Sequence, residues 1–226
     1  IEHYEVLLRM RDPSTGELRL PGKFIRIAEQ VGLIQQIDHY VIHHALQQLG
    51  ALQKQGRNVC FAINLSGLVI DTSVLLPLLE KTIAEHQVNP NGIIFEITET
   101  VAVSNLQQAK AMMQAIKALG CRFSLDDFGV GFSSFNYMRE LPVDIIKIDG
   151  IFIKNLDKNA DDQLFVKALV DVAKGLNRQT TAEFVENAEI LALLRGYGVD
   201  FAQGYHIGRP QPALLDTTTW SESVSK

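Results

Sequence analysis

Strand-length apolar runs alternating with amphipathic helices predict an α/β fold, either a doubly wound sheet or a (β/α) barrel. Three observations carry that expectation. Seven such runs recur along the 226 residues. They are nearly continuously apolar rather than alternating, as strands are when a parallel sheet is covered on both faces. No Pro/Ser-rich linker, low-complexity segment or internal repeat divides the chain.

"YEVLLRM" from Tyr4 is rich in branched and aromatic residues, and a helix with an apolar stripe follows over residues 34–55. "VCFAINLS" from Val59 and "IIFEIT" from Ile93 are the second and third strands. Residues 105–119 form the clearest helix, with Leu106, Ala109, Met113, Ile116 and Leu119 at 3.6-residue spacing. Ser104 with Gln107 reads as a capping box at its start, and Gly120 closes its end. "CRFSL" from Cys121 and "VDIIKID" from Val143 are strands, and a striped helix covers 161–176. "QTTAEF" from Gln179 and a short "FAQGY" from Phe201 complete the set. Seven strands is one short of a closed eight-stranded barrel, and the first begins almost at residue 1. A strand is therefore expected to precede these residues.

Bulk composition narrows the function. With 46% hydrophobic residues the chain can bury a large core without disulfide staples. Its apolar runs are too short to span a bilayer. A formal charge of −5 argues against binding duplex nucleic acid, which calls for a basic stripe. Cys60 and Cys121 lie inside apolar runs, without metal-ligand spacing, so reduced core thiols in a cytosolic protein are expected.

The chemistry gathers where the strands end. In order these ends carry Asn64, Glu96 with Glu99, Asp126 with Asp127, Lys147 with Asp149, Glu183 with Glu186, and Gln203. Taken singly, each has a plainer explanation. An acid after a strand is commonly a helix N-cap, Gln203 could be a satisfied core amide, and Lys147 a snorkelling lysine. In a barrel, however, these ends converge on one rim. So many carboxylates in one mouth would raise one another's pKa values and cost stability unless cations neutralise them. A donor set rich in oxygen, with no Cys or His, suits Mg²⁺ or Mn²⁺. In "SLDDFGVGFSSF" the adjacent Asp126 and Asp127 thus read as ligands, Asp127 placed to bridge two ions.

Three other patterns carry less. "GVGFSS" lacks the third glycine of a dinucleotide fingerprint and follows two aspartates that would repel a pyrophosphate. His39 and His43 have the i, i+4 spacing of zinc ligands but no His-Glu-x-x-His sequence. A Schiff-base role for Lys147 leaves the acids unexplained.

Read together, "YEVLLR", "PGKFIRIAEQVGLI", "INLS", "FEITET", "SLDDFGVGFSS", "DIIKID", "AEFVEN" and "AQGYHIGRP" resemble the EAL domain family of bacterial cyclic di-GMP phosphodiesterases. The resemblance covers nearly the whole chain, in order and in spacing. It implies a TIM-type (β/α)8 barrel with one antiparallel strand, the first strand missing from this chain. It treats residues 1–226 as one domain excerpted from a longer multidomain signalling protein. It implies metal-dependent hydrolysis of cyclic di-GMP to linear pGpG, with two Mg²⁺ or Mn²⁺ ions per site.

Residue by residue, the resemblance makes Glu5 the signature acid and a metal ligand. Glu5, Leu7 and Arg9 are expected on one face of a strand, with Leu7 and Arg9 toward the substrate and Arg9 toward phosphate. Asn64, Glu96 and Asp126 match metal ligands, with Asp127 shared between ions. Lys147 and Glu183 match residues that position or deprotonate the attacking water, Glu183 also counting as a ligand. Asp149 and Phe184 are assigned to the substrate. Glu186 and Gln203 match supporting positions, and Glu99 a brace for the loop after Asp127, through Ser133.

The family further implies a homodimer through that loop and the adjacent helix, a fused sensor or GGDEF domain, and a cytoplasmic location even where the longer protein is membrane-anchored. Three departures stand out: Val6 within the signature, Val130 where threonine is commoner, and Phe184 where glycine is common. The rival within the family is a catalytically silent cyclic di-GMP receptor or interaction module.

Overall fold

The computed structural model describes residues 1–67, 72–130, 135–212 and 214. The strands are β1 (Glu2–Val6), β2 (Met10–Arg11), β3 (Leu18–Arg19), β4 (Val59–Asn64), β5 (Ile93–Thr98), β6 (Arg122–Phe128), β7 (Ile145–Ile148), β8 (Gln179–Ala182) and β9 (Phe201–Ala202). Between them lie α1 (Ile25–Gln30), α2 (Ile34–Lys54), α3 (Thr72–His86), α4 (Glu99–Ser104), α5 (Leu106–Ala118), α6 (Phe135–Glu140), α7 (Gly150–Ile153), α8 (Ala160–Gly175) and α9 (Ala188–Tyr197).

Seven strands form one parallel sheet in the order β1-β4-β5-β6-β7-β8-β9. The sheet curls until its edges meet through side chains. His3 on β1 stacks on Phe201 of β9, ring centroids 4.3 Å apart. Gln203 just past β9 donates to Glu5 of β1 at 2.6 Å. The sheet faces and the helix stripes bury one large core that includes Ile63, Phe95, Phe123, Ile146 and Val166. Burial of each such side chain contributes about 1.5–3 kcal/mol. Cys60 and Cys121 are buried and free, as expected.

The structure departs from the sequence expectations in four places. All seven strands of the large sheet run parallel, so no antiparallel member of that sheet occurs among the described residues. The antiparallel pairing there is instead the small β2-β3 ribbon.

The first strand starts two residues early, held by Glu2 N–H donating to the Asn58 carbonyl, and it ends at Val6. Leu7 and Arg9 therefore lie beyond it, outside the strand alternation that was to align them with Glu5.

The strand from Cys121 does not stop at Leu125. β6 runs through both aspartates to Phe128, with a shift of register between Leu125 and Phe128.

Ser104 caps nothing. It ends α4, where its hydroxyl donates to the Val101 carbonyl, and Asn105 precedes α5 without a side-chain cap. The stripe of α5 is otherwise as read, with Met112 added to Ala109, Met113 and Ile116.

Candidate active site

β1, β4, β5, β6 and β7 carry Glu5, Asn64, Glu96, Asp126 with Asp127, and Lys147 at or near their C-terminal ends, and Glu183 and Gln203 follow β8 and β9 directly. Parallel pairing brings them together: Asn64 is in register with Glu96, and Asp126 with Thr98.

Lys147 is the hub. Its side chain is 3% exposed, and its Nζ lies 2.8 Å from Glu183 Oε1, 3.1 Å from Glu96 Oε2 and 3.2 Å from Asp126 Oδ1. A second group centres on Glu5, which accepts from Asn64 Nδ2 at 2.9 Å and from Gln203 Nε2 at 2.6 Å. The Gln203 contact replaces the plainer reading of a core amide, since its amide faces an acid.

Asp126, Asp127 and Glu183 each offer a carboxylate oxygen within 4.8 Å of the others, the spacing of groups that could share a cation. Asp127 adopts φ +54°, a left-handed conformation that Asp tolerates, and its N–H donates to Asp126 Oδ1 at 3.0 Å. The register shift in β6 thus lets two consecutive acids serve one site, which strand alternation alone would forbid.

Electrostatics show the strain in this cluster. Burial pushes Glu96 up to about 8, with Glu5 and Asp126 adding to the effect and Lys147 opposing it. Burial likewise pushes Glu183 up to about 7, against the pull of Lys147. Asp127 is raised by burial and then by the charges of Asp126 and Asp149. Burial by itself would lower Lys147, but Glu96, Asp126, Glu5 and Glu183 outweigh it and hold the ammonium form well above its ordinary range. One ammonium faces five carboxylates. The surplus negative charge and the oxygen-only donors fit hard divalent cations.

Glu99 is buried at the start of α4 and accepts from Gly129 N–H at 3.5 Å, tying that helix to the chain after Asp127. Ser133, its expected partner, lies outside the described residues. Asp149 N-caps α7, accepting from Ile151 N–H at 2.7 Å, while standing next to Asp127.

Phe184 is 47% exposed at φ +54°, a rare conformation for a bulky residue, with Lys154 Nζ 4.2 Å above its ring. It packs on Gly150, where a Cβ would come within 2.1 Å of the ring. Arg9 is half-buried and its guanidinium donates to the Leu8 carbonyl. Leu7 is 40% exposed. Glu186 is exposed and makes no hydrogen bond or ion pair among the described residues.

Sequence reading passed over Asp38 and Ser66, which lie behind the site. The available signal was an aspartate inside the apolar stripe of the helix over 34–55. A cavity of about 620 Å³, lined by Lys54, Arg57, Cys60, Asn89 and Arg122 among others, opens near the N-terminal ends of β4, β5 and β6. That is the end opposite the carboxylates, whereas TIM-type folds do their chemistry at the C-terminal rim.

Comparison with known proteins identifies the family. The EAL domain family profile matches residues 1–210. Cyclic di-GMP phosphodiesterase PdeB of Shewanella oneidensis is 42% identical over 211 residues, covering 93% of this chain and 24% of that protein. Cyclic di-GMP phosphodiesterase PdeF of Escherichia coli is 36% identical over 222 residues, covering 98% of this chain and 30% of that protein. The chain thus spans less than a third of the length of either relative. Among solved structures, the PaMucR phosphodiesterase in complex with c-di-GMP superposes with TM-score 0.86 at 35% identity, covering 92% of this chain and 85% of that one. The FimX EAL domain of Pseudomonas aeruginosa bound to c-di-GMP gives 0.87 at 32% identity, covering 94% and 85%.

Proposed function

The chain belongs to the EAL domain family, and from that premise we propose that it hydrolyses cyclic di-GMP, opening the ring with water to give linear pGpG. The observation that carries this reading is the convergence on Lys147 of Glu96 from β5, Asp126 from β6 and Glu183 just after β8, beside a Glu5 held by Asn64 and Gln203.

Glu5, Asn64, Glu96, Asp126, Asp127 and Glu183 would hold two Mg²⁺ or Mn²⁺ ions. Such ions supply Lewis acidity to a water and to phosphoryl oxygens when bound. Asn64 and Gln203 orient the Glu5 carboxylate from either side. Lys147, a charged donor, positions the attacking water, and Glu183, 2.8 Å from its Nζ, takes the water's proton. Arg9 faces a substrate phosphate, and Leu7 and Phe184 provide apolar walls for the bases. Asp149 is assigned to the substrate as well. An acidic protein holds a dianionic ligand here because cations reverse the local sign of charge.

We also place this domain in a longer cytoplasmic signalling protein, with sensor or GGDEF segments and a dimer contact near the loop after Asp127. The much greater length of its relatives supports the first part. No helix among the described residues is long and apolar enough to cross a membrane.

The test is turnover of cyclic di-GMP by the purified chain, resolved by chromatography, with Mn²⁺ and then with EDTA. Metal-dependent pGpG that disappears in Glu5→Ala is the expected result. Tight binding without product would move the chain to the receptor reading, and neither binding nor turnover would remove the substrate assignment altogether.

A further inference from the structure

Asn64 ends β4 exposed to solvent, and its own side chain cannot explain why it points at Glu5. The explanation lies in the three residues that follow. Leu65 N–H donates to the Glu96 carbonyl of β5 at 2.9 Å. Ser66 donates its hydroxyl to Asp38 Oδ2 on α2 at 2.5 Å. Gly67 lies against α4 so closely that a Cβ there would come within 2.9 Å of Val101 Cγ2. Three consecutive residues are thus anchored to three different elements.

The middle anchor is unusual. Asp38 occupies a core position of α2, in line with Ile34 and Ile42, and is 6% exposed. Burying a carboxylate costs free energy that a single serine offsets only in part, and a well-packed apolar side chain there would be as stable or more so. Burial also pushes its carboxyl up to about 6, against the hydrogen bonds from Ser66.

We propose that Asp38 is a positioning residue for the active site: through Ser66 it fixes the backbone that presents Asn64 to Glu5 and to a bound metal. This rests on the reading of Asn64 as a metal ligand. Asp38 touches neither substrate nor reacting atoms, and removing it loosens the direction in which the Asn64 amide points. Groups that orient metal ligands typically change metal affinity by about 10–100-fold.

The test is Mn²⁺ affinity of the purified chain without substrate, followed through the EPR signal of the free ion, for Ser66→Ala, Asp38→Ala, Asp38→Asn and Asn64→Ala. Circular dichroism confirms that each variant is folded. Ser66→Ala and Asp38→Ala are expected to weaken Mn²⁺ binding by about tenfold. Asp38→Asn should stay within about twofold of the parent, because its amide oxygen still accepts from Ser66.

Unchanged affinity in Ser66→Ala, alongside a loss in Asn64→Ala, overturns the positioning role while leaving the ligand set intact. Unchanged affinity in Asn64→Ala removes the ligand set and this inference together. If Asp38→Ala does not fold, Ser66→Ala decides alone, since it deletes one hydroxyl at a half-buried position.

Discussion

Asp38 shows how a single residue sets a pH dependence that composition conceals. Its folded carboxyl, raised by burial from 3.8 to about 6, prefers the neutral form. The stability that goes with this preference is fully present below pH 4 and is lost as pH rises through 6, remaining lost above pH 7. Asp38→Asn removes this dependence. Relative to the parent, the variant should be more stable at pH 7.5 than at pH 4 by about 2–3 kcal/mol, measured by urea unfolding at both pH values. A constant difference across that range would show that the carboxyl titrates as it does in water. Lys147 presents the opposite case, a buried cation kept charged by the acids around it, so its charge does not change over the same range.

At the scale of elements, β6 and the turn after it do the work. A regular strand would send Asp126 and Asp127 to opposite faces of the sheet. The register shift and the left-handed Asp127 turn both toward the mouth, and Gly129, at φ +108°, completes the turn. A Cβ on Gly129 would meet Phe152 Cε2 at 2.5 Å, whereas Gly56, at φ +80°, has nothing within 4 Å of its Cβ position. Gly56→Ala should therefore cost only the backbone term, about 1 kcal/mol. Gly129→Ala should cost at least about 1 kcal/mol more than that, because a packed ring must move. Thermal melts of the two variants check the difference. Turnover should fall in Gly129→Ala alone, since the backbone shift that its Cβ forces against Phe152 displaces the N–H that ties Glu99 to this turn.

At the scale of the whole molecule, a carboxylate-rich rim sits on a curled sheet whose edges meet through His3, Phe201, Glu5 and Gln203. Without cations, the repulsion within that rim opposes folding. Cations that bind the folded chain alone stabilise it by about 2.7 kcal/mol at a hundred times the dissociation constant. For a domain of this size that raises Tm by about 5–10 °C. Calorimetry with Mn²⁺ against EDTA should show the shift, and Asp126→Ala with Asp127→Ala should abolish it. An equal rise in the double variant would place the cations elsewhere.

The sequence by itself determined the number and order of the large sheet's strands, the order of the polar residues and the family, because these depend on local periodicity and on motifs read along the chain. Apolar runs such as "IIFEIT" must form buried strands wherever they fold, and that run is observed over the residues expected. The tertiary structure alone decided which polar groups meet. Lys147 joins carboxylates from residues 51, 21 and 36 positions away, and Glu5 meets Gln203 across 198 residues. It decided that β6 carries both aspartates, that Leu7 and Arg9 leave the strand, and that Asp38 reaches Ser66 behind Asn64. The physical reason is range. Side-chain periodicity is a property of neighbours along the chain, whereas an ion pair or a positioning hydrogen bond exists only once the closing sheet has brought distant strand ends within about 3 Å of one another.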